Sequence, residues 1–399
     1  MPRVSVLIAT YNDEPFVGAA IESILAQTFN DFDIVVVDDA STDRSREVAA
    51  MYAAREPRIR LAANPTNLGP ASARNRGLAM ITSEYVAVLD GNDVCAPERL
   101  AEQVAYLDAH PEVAVVGSQG TVIDLNGRTI GRFSRPTTDV GIKWCRIFQS
   151  PVIQSSAMYR RAIVWDELGG YDERFRFGED FELWRRVWRR SDGPRGIHNL
   201  PRTLVAYRAD PHSLTGTPRH PARERYLARK APMIVENLCD TLSVSHEAVT
   251  LRSVMCWFTV GDVQASPSGD DVREAVALIE RSAARFATLY ETAGGDRADA
   301  RGREEVAAHQ AQMLVETLRK APAAGRLFML TLWMRILRRD RRTALRAWLR
   351  FAVLFVCGEG PLRRRLDRRR RSAQRWREAA RQQPLTIASR EPAGQRPPD

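Results

Sequence analysis

Asp90, Asn92 and Asp93 lie within four residues of one another, in Val88-Leu89-Asp90-Gly91-Asn92-Asp93. Two carboxylates and one amide oxygen are hard donors. They suit Mg²⁺ or Mn²⁺ carrying a diphosphate better than zinc. The competing account is an acidic turn that caps the following helix. Thr10-Tyr11-Asn12-Asp13 and Asp38-Asp39 are two further polar clusters that follow apolar runs. Gly178-Glu179-Asp180 opens an amphipathic stretch, where acids satisfy free N–H groups and the helix dipole. Capping does not by itself explain two adjacent acids there. Neither Gly-x-Gly-x-x-Gly after the first strand nor Gly-x-x-x-x-Gly-Lys-Ser/Thr is present, so any phosphate must be neutralised by a cation or by arginine.

These residues need elements to carry them to one place. Val4–Ala9, Phe32–Val37, Ile59–Leu61 and Tyr85–Leu89 are apolar runs of strand length. Phe16–Gln27 has apolar residues at helical spacing, and Ala71–Met80 reads as a helix. Short strands alternating with helices predict βαβ units and a parallel sheet, with helices on both faces. The three polar clusters then fall at the carboxyl ends of neighbouring strands, the rim where open α/β sheets bind ligands. Beyond them, Asn126-Gly127 predicts a hairpin between Val113–Asp124 and Thr129–Phe133. Val140–Phe148 reads as a helix and Ser155–Tyr159 as a strand.

Taken in order, six motifs resemble those of a family 2 glycosyltransferase over roughly residues 3 to 215. They are Val6-Leu7-Ile8-Ala9-Thr10-Tyr11-Asn12; Val35 to Asp43; Asn67-Leu68-Gly69 with Ala73-Arg74-Asn75; Leu89 to Asp93; Gly169-Gly170-Tyr171-Asp172; and Gly178 to Trp184. The resemblance implies a GT-A fold, an α/β, Rossmann-like mixed sheet. It implies sugar transfer from a nucleoside-diphosphate sugar, a UDP-sugar foremost, to an acceptor hydroxyl with inversion. Carried over by position, Thr10 and Tyr11, with Asn12, would line the base site, and Asp39 would accept a hydrogen bond from the base. Arg74 would lie near the base or phosphates, and Asp90, with Gly91, would bind the ribose or donor sugar. Asn92 and Asp93 would hold the metal, Mn²⁺ or Mg²⁺, and the diphosphate. Asp180 would be the general base, which suits inversion because a carboxylate opposite the leaving group can take the acceptor proton. Glu179, Trp184 and Gln154 neighbour the acceptor side in the same resemblance, although for Gln154 a buried amide bonding backbone is the stronger account.

The chain departs from the family pattern twice. Asn92 stands where Asp is usual, and Asp210 stands where Tyr207-Arg208-Ala209-Asp210 would usually end in His. Asp210 would restore the carboxylate missing at Asn92. His212 is an alternative ligand, displaced by two positions. Asn92 also motivates a catalytically degenerate scaffold as the alternative, and a nucleotidyltransferase would share such a sheet.

Length and charge divide the chain further. With 399 residues, one core plus an extension or two domains is the expectation. Five scattered cysteines with no Cys-x-x-Cys argue against a disulfide framework or a zinc cage and fit a reducing compartment. With a core strand beginning at Val4, no signal peptide is expected, and without a run of 18 apolar residues no ordinary transmembrane helix is expected. The net charge of +10 is uneven: residues 321–399 hold 20 Arg and 6 acids, whereas the first 320 hold 39 basic and 43 acidic groups. Residues 1–220 read as the catalytic domain, 221–320 as a helical region, 321–381 as a basic amphipathic tail and 382–399 as disordered. Arg342, Arg346 and Arg350 form a stripe beside Trp348 and Phe351, the pattern of a helix lying on an anionic membrane surface. The expected partners are a nucleotide-sugar donor, a glycan or lipid-linked acceptor and that surface. No nucleic acid is expected. The expected location is cytoplasmic, at the inner face of the cell membrane.

Overall fold

The computed structural model describes residues 1–190, 196–210, 221–245, 254, 268–292, 300–318 and 326–340. The apolar runs pair as the periodicity requires. Strand β1 (Val4–Thr10) lies between β2 (Phe32–Asp38) and β4 (Tyr85–Asp90), parallel to both, and β3 (Ile59–Ala63) extends the sheet beyond β2. Helices α1 (Val17–Leu25), α2 (Ser45–Ala53) and α3 (Pro70–Leu78) cross between them. Val6, Ile8, Ile34 and Val36 pack into one core; Leu7, Val35 and Val37 pack into another. Both faces of these strands are therefore covered, which is why they read as continuous apolar runs rather than alternating ones.

Past β4 the sheet becomes mixed. Its order is β3-β2-β1-β4-β8-β6-β9-β5, with β7 paired to β6. Here β5 is Val94–Cys95, β6 Val115–Ile123, β7 Thr129–Phe133, β8 Met158–Arg160 and β9 Ile197–Arg208. β8 runs antiparallel to both β4 and β6, and β9 lies parallel to β6. The expected hairpin forms, with Gly127 at φ 79° in its turn. The strand expected over Ser155–Tyr159 is shorter. A 3₁₀ turn takes Gln154–Ser156, because the Ser156 hydroxyl donates to Ile153 O at 2.8 Å and closes it. The architecture is a mixed α/β sheet, as the resemblance implies, with helices added at its C-terminal side.

Those helices do not stand apart. α4 (Arg99–Ala109) covers the sheet; α5 (Asp139–Phe148) and α6 (Glu179–Arg190) turn one face outward. Against that face pack α7 (Pro221–Leu242), α8 (Gly269–Thr292), α9 (Ala300–Leu318) and α10 (Arg326–Arg339). Trp144, Phe148 and Phe181 share one apolar cluster with Ile234 and Leu238 of α7, Ile279 of α8, Leu314 of α9 and Trp333 of α10. The Glu305 carboxylate on α9 caps the start of α5. It accepts from Thr137 N and Thr138 N, both at 3.0 Å, and from their hydroxyls at 2.8 and 2.6 Å. The segment 327–337, read as the start of a basic tail, is thus a bundle helix with Leu332, Trp333 and Ile336 buried. The arginine stripe at 342–350 lies outside the described residues. Among the described residues no helix is long and apolar enough to cross a membrane.

Candidate active site

Parallel pairing sets the strand ends in a row. Thr10 lies opposite Asp38 across β1 and β2, and Ala9 opposite Asp90 across β1 and β4. The loops that follow bond to one another. Asn12 takes φ 56°, and its Oδ1 accepts from Thr42 N at 2.8 Å and from the Thr42 hydroxyl at 3.2 Å. Ala40 takes φ 57°, an uncommon left-handed conformation for a residue with a Cβ. The Thr10 hydroxyl donates to Asp13 Oδ2 at 3.1 Å, and Tyr11 N donates to the same oxygen at 3.2 Å. Tyr11 remains 43% exposed. Gly91 closes against this pair, since a Cβ there would come within 2.7 Å of Thr10 Oγ1 and 2.8 Å of Asp13 Oδ2.

Asp39 pins the next loop. Its Oδ1 accepts from Asn64 Nδ2 at 2.7 Å and Leu68 N at 3.0 Å, and its Oδ2 accepts from Gly69 N at 2.7 Å. A carboxylate offers about four acceptor sites, so room for one incoming donor remains. Gly69, at φ 99°, leads into α3 with Pro70 at its first position.

One turn into α3, the buried Arg74 guanidinium ties the site together. Its Nη2 donates to Asp90 Oδ1 at 2.7 Å and its Nη1 donates to Glu179 Oε1. The guanidinium carbon lies 5.4 Å from the centre of the Tyr171 ring. Burial opposes the arginine's charge, but Asp90 and Glu179 outweigh it and raise its pKa. Burial likewise pushes Glu179 up, and Arg74 opposes that shift. The end of β4, the first turns of α3 and the first turn of α6 thus meet at one cation. Asp180, beside Glu179, is partly exposed. Arg176 bonds Asn67 Oδ1 and Asn67 O, both at 2.7 Å, so the loop before α6 also grips the loop before α3.

Several expected site residues point elsewhere. Asp93 faces inward. Its Oδ1 accepts from Arg208 N at 2.7 Å and its Oδ2 from the Ser155 hydroxyl at 2.5 Å, and burial beside Asp90 pushes its pKa up. It is a buried anchor for β9 rather than a rim ligand. Trp184 is buried in the core against Tyr159, because the stripe of α6 that carries it faces the sheet. Glu179 is committed to Arg74, and Asn12 to Thr42. Gln154 donates to the Tyr171 hydroxyl at 2.8 Å, not to backbone. Asp210 is buried just past β9, with its N–H on Arg208 O at 3.0 Å. His212 lies outside the described residues.

The reading by motif assigned no role to Arg208 or Ser155. Arg208 donates from Nε to Asn92 O at 2.8 Å and lays its guanidinium 4.6 Å from the Phe16 ring centre. Ser155 Oγ also accepts from Asp90 N at 3.3 Å. Arg208 lies within Tyr207-Arg208-Ala209-Asp210, but its contacts come from strand pairing. Nothing around Ser155 in the chain marks it as a partner of residues 62 and 65 positions away.

The metal expectation can be tested on these donors. Among the described residues, no three His, Cys, Asp or Glu side chains gather as a metal cage. With Asp93 turned inward, Asp90 and Asn92 are what the β4 end presents. Few protein ligands suit a cation of the Mg²⁺ kind, which is held by one or two carboxylates together with substrate phosphates and water.

Residues 5–168 match the family model described as glycosyl transferase family 2, a span that ends before α6. The chain is 36% identical over 212 residues to a Bacillus subtilis (strain 168) protein named "Putative glycosyltransferase EpsE", covering 52% of this chain and 74% of that one. It is 32% identical over 209 residues to the amylovoran biosynthesis glycosyltransferase AmsE of Erwinia amylovora, covering 51% of this chain and 76% of AmsE. Among solved structures, S. aureus TarS 1–349 in complex with UDP-GlcNAc aligns with 86% of this chain and 90% of its own, at 16% identity and a TM-score of 0.47.

Proposed function

The chain belongs to glycosyl transferase family 2, and from that footing we propose that it moves a sugar from a nucleoside-diphosphate sugar to an acceptor hydroxyl with inversion. A UDP-sugar is the first donor to try, and a cell-envelope or lipid-linked glycan the first acceptor. The name of AmsE, a glycosyltransferase of amylovoran biosynthesis, supports the second choice. The observation that carries the reading is the Arg74 bridge. One guanidinium touches Asp90 at the end of β4 and Glu179 at the start of α6, so the donor rim and Asp180 belong to one locus.

In this reading Tyr11, Asp39 and the 64–69 loop receive the base. Asp90 orients the ribose or sugar. Asp180 takes the proton from the acceptor hydroxyl as the oxygen attacks the anomeric carbon and the diphosphate leaves. A divalent cation, when bound beside Asp90 and Asn92, supplies positive charge to the departing diphosphate. Asp210 supplies the negative charge that Asn92 lacks. Loss of metal-dependent activity in Asp210→Ala together with its retention in Asp210→His would count against that compensation. The arginines of the 321–381 tail, Arg342, Arg346 and Arg350 among them, would hold the enzyme at the inner face of the cell membrane.

The test is release of nucleoside diphosphate from UDP-, GDP- and dTDP-sugars, with and without Mn²⁺. The expected outcome is Mn²⁺-stimulated release from one donor class, reduced about 100-fold or more in Asp180→Asn, the scale of a lost general base. If no donor is turned over and none raises the melting temperature, the chain is a scaffold on the same fold, as Asn92 would then suggest.

A further inference from the structure

Lys230 is one of three lysines among the 59 basic residues of the chain. It lies on α7, outside the span matched by the family model. α7 is fastened to α6 by ion pairs: Arg189 reaches Glu236 at 3.1 Å and Asp240 at 2.8 Å, and Arg185 also pairs with Glu236. Less than two turns before Glu236, the Lys230 ammonium lies 4.8 Å from the centre of the Phe181 ring. Phe181 directly follows Asp180. The Asp180 carboxylate from α6, the Arg135 guanidinium beyond β7 and the Cys145 thiol from α5 are among the charged and titratable groups that act on this ammonium.

We propose that Lys230 is a positioning residue for Asp180, its ammonium holding the carboxylate turned toward the acceptor hydroxyl, so that the helical extension completes the catalytic unit. The proposal rests on the reading of Asp180 as the general base. The ring face of Phe181, the residue after Asp180, attracts the cation and fixes its place over α6. Lys230 exchanges no proton with the acceptor: the hydroxyl proton goes to Asp180, and the ammonium keeps its own. Lysine also differs from the arginines that dominate the chain, because its charge can be lost near neutrality when the group is buried.

Burial drives the Lys230 pKa down to about 8; Asp180 opposes that shift and Arg135 reinforces it. The ammonium is therefore charged below about pH 8 and neutral above it. The test uses the full chain labelled with ¹³Cε-lysine. Its three lysine signals are assigned with Lys230→Arg and titrated by NMR, alongside nucleoside diphosphate release from the UDP-sugar donors. Lys230 should titrate near pH 8, and in Asp180→Asn its midpoint should fall, because an attractive charge has gone. Lys230→Met, which keeps the stem, should lower kcat about tenfold or more with little change in donor KM and little change in melting temperature. Wild-type activity should decline above about pH 8, and Lys230→Arg should restore kcat and remove that decline. A midpoint unmoved in Asp180→Asn, or a wild-type kcat in Lys230→Met, overturns this proposal alone. No release from any donor by the wild-type chain overturns the functional reading and this proposal with it.

Discussion

Arg74 is the residue on which the arrangement of the site turns. It is a buried cation between two carboxylates, and neither carboxylate has another cation at hydrogen-bond distance among the described residues. Arg74→Ala leaves Glu179 buried and uncompensated, a loss of about 3–5 kcal/mol for breaking such a pair. Chemical denaturation should show that loss, and Glu179→Gln in the same chain should recover part of it by removing the stranded charge. Arg74→Lys should not rescue, because an ammonium cannot reach both acids as a planar fork does. Gly91 makes a second test. The Cβ of Gly91→Ala would press on Thr10 Oγ1 and Asp13 Oδ2, both under 3 Å away. Nucleotide release should fall about tenfold and the melting temperature should drop with it, since Thr10 is buried and must shift to admit the methyl.

At the scale of elements, the informative contact is α9 on α5. Glu305 answers four donors at the start of α5, where the helix dipole also favours a negative charge. Glu305→Ala strands those donors and should cost about 1–3 kcal/mol in urea unfolding, with Glu305→Gln intermediate. α5 leads into the segment that carries Gln154 and Ser155, and Ser155 bonds both Asp93 and Asp90 N. A loosened α5 should therefore also raise the donor KM. An unchanged KM in Glu305→Ala would separate the extension from the site.

Across the whole molecule, the catalytic sheet and the C-terminal helices share a core. A chain ended at residue 220 would expose Trp144, Ile147, Phe148 and Phe181, which now pack under α7 to α10. The expected product is aggregated or lacks near-ultraviolet dichroism, since an apolar face of that kind needs a cover. A chain ended at residue 340 keeps the bundle and loses 16 arginines against five acids. It should stay folded and fail to float with anionic liposomes that carry the full chain. Equal flotation of the two would remove the membrane surface from the proposal.

Local pattern was enough for β1 to β4 with the helices between them, the hairpin at Asn126-Gly127 and the helices described between residues 221 and 318, because burial on both faces and helical spacing leave marks within a dozen residues; it did not show β5 or β9. The polar clusters at the ends of β1, β2 and β4 were legible for the same reason, since parallel strands must bring such ends together. The sequence did not show that Asp93 turns inward to hold β9, that Trp184 belongs to the core, or that α10 joins the bundle. Nor did it show that Lys230 lies over the ring of Phe181, the residue after Asp180. Each of these depends on which of two faces an element presents and what packs against it. That is decided by contacts between residues tens to hundreds of positions apart, and only the folded chain brings them together.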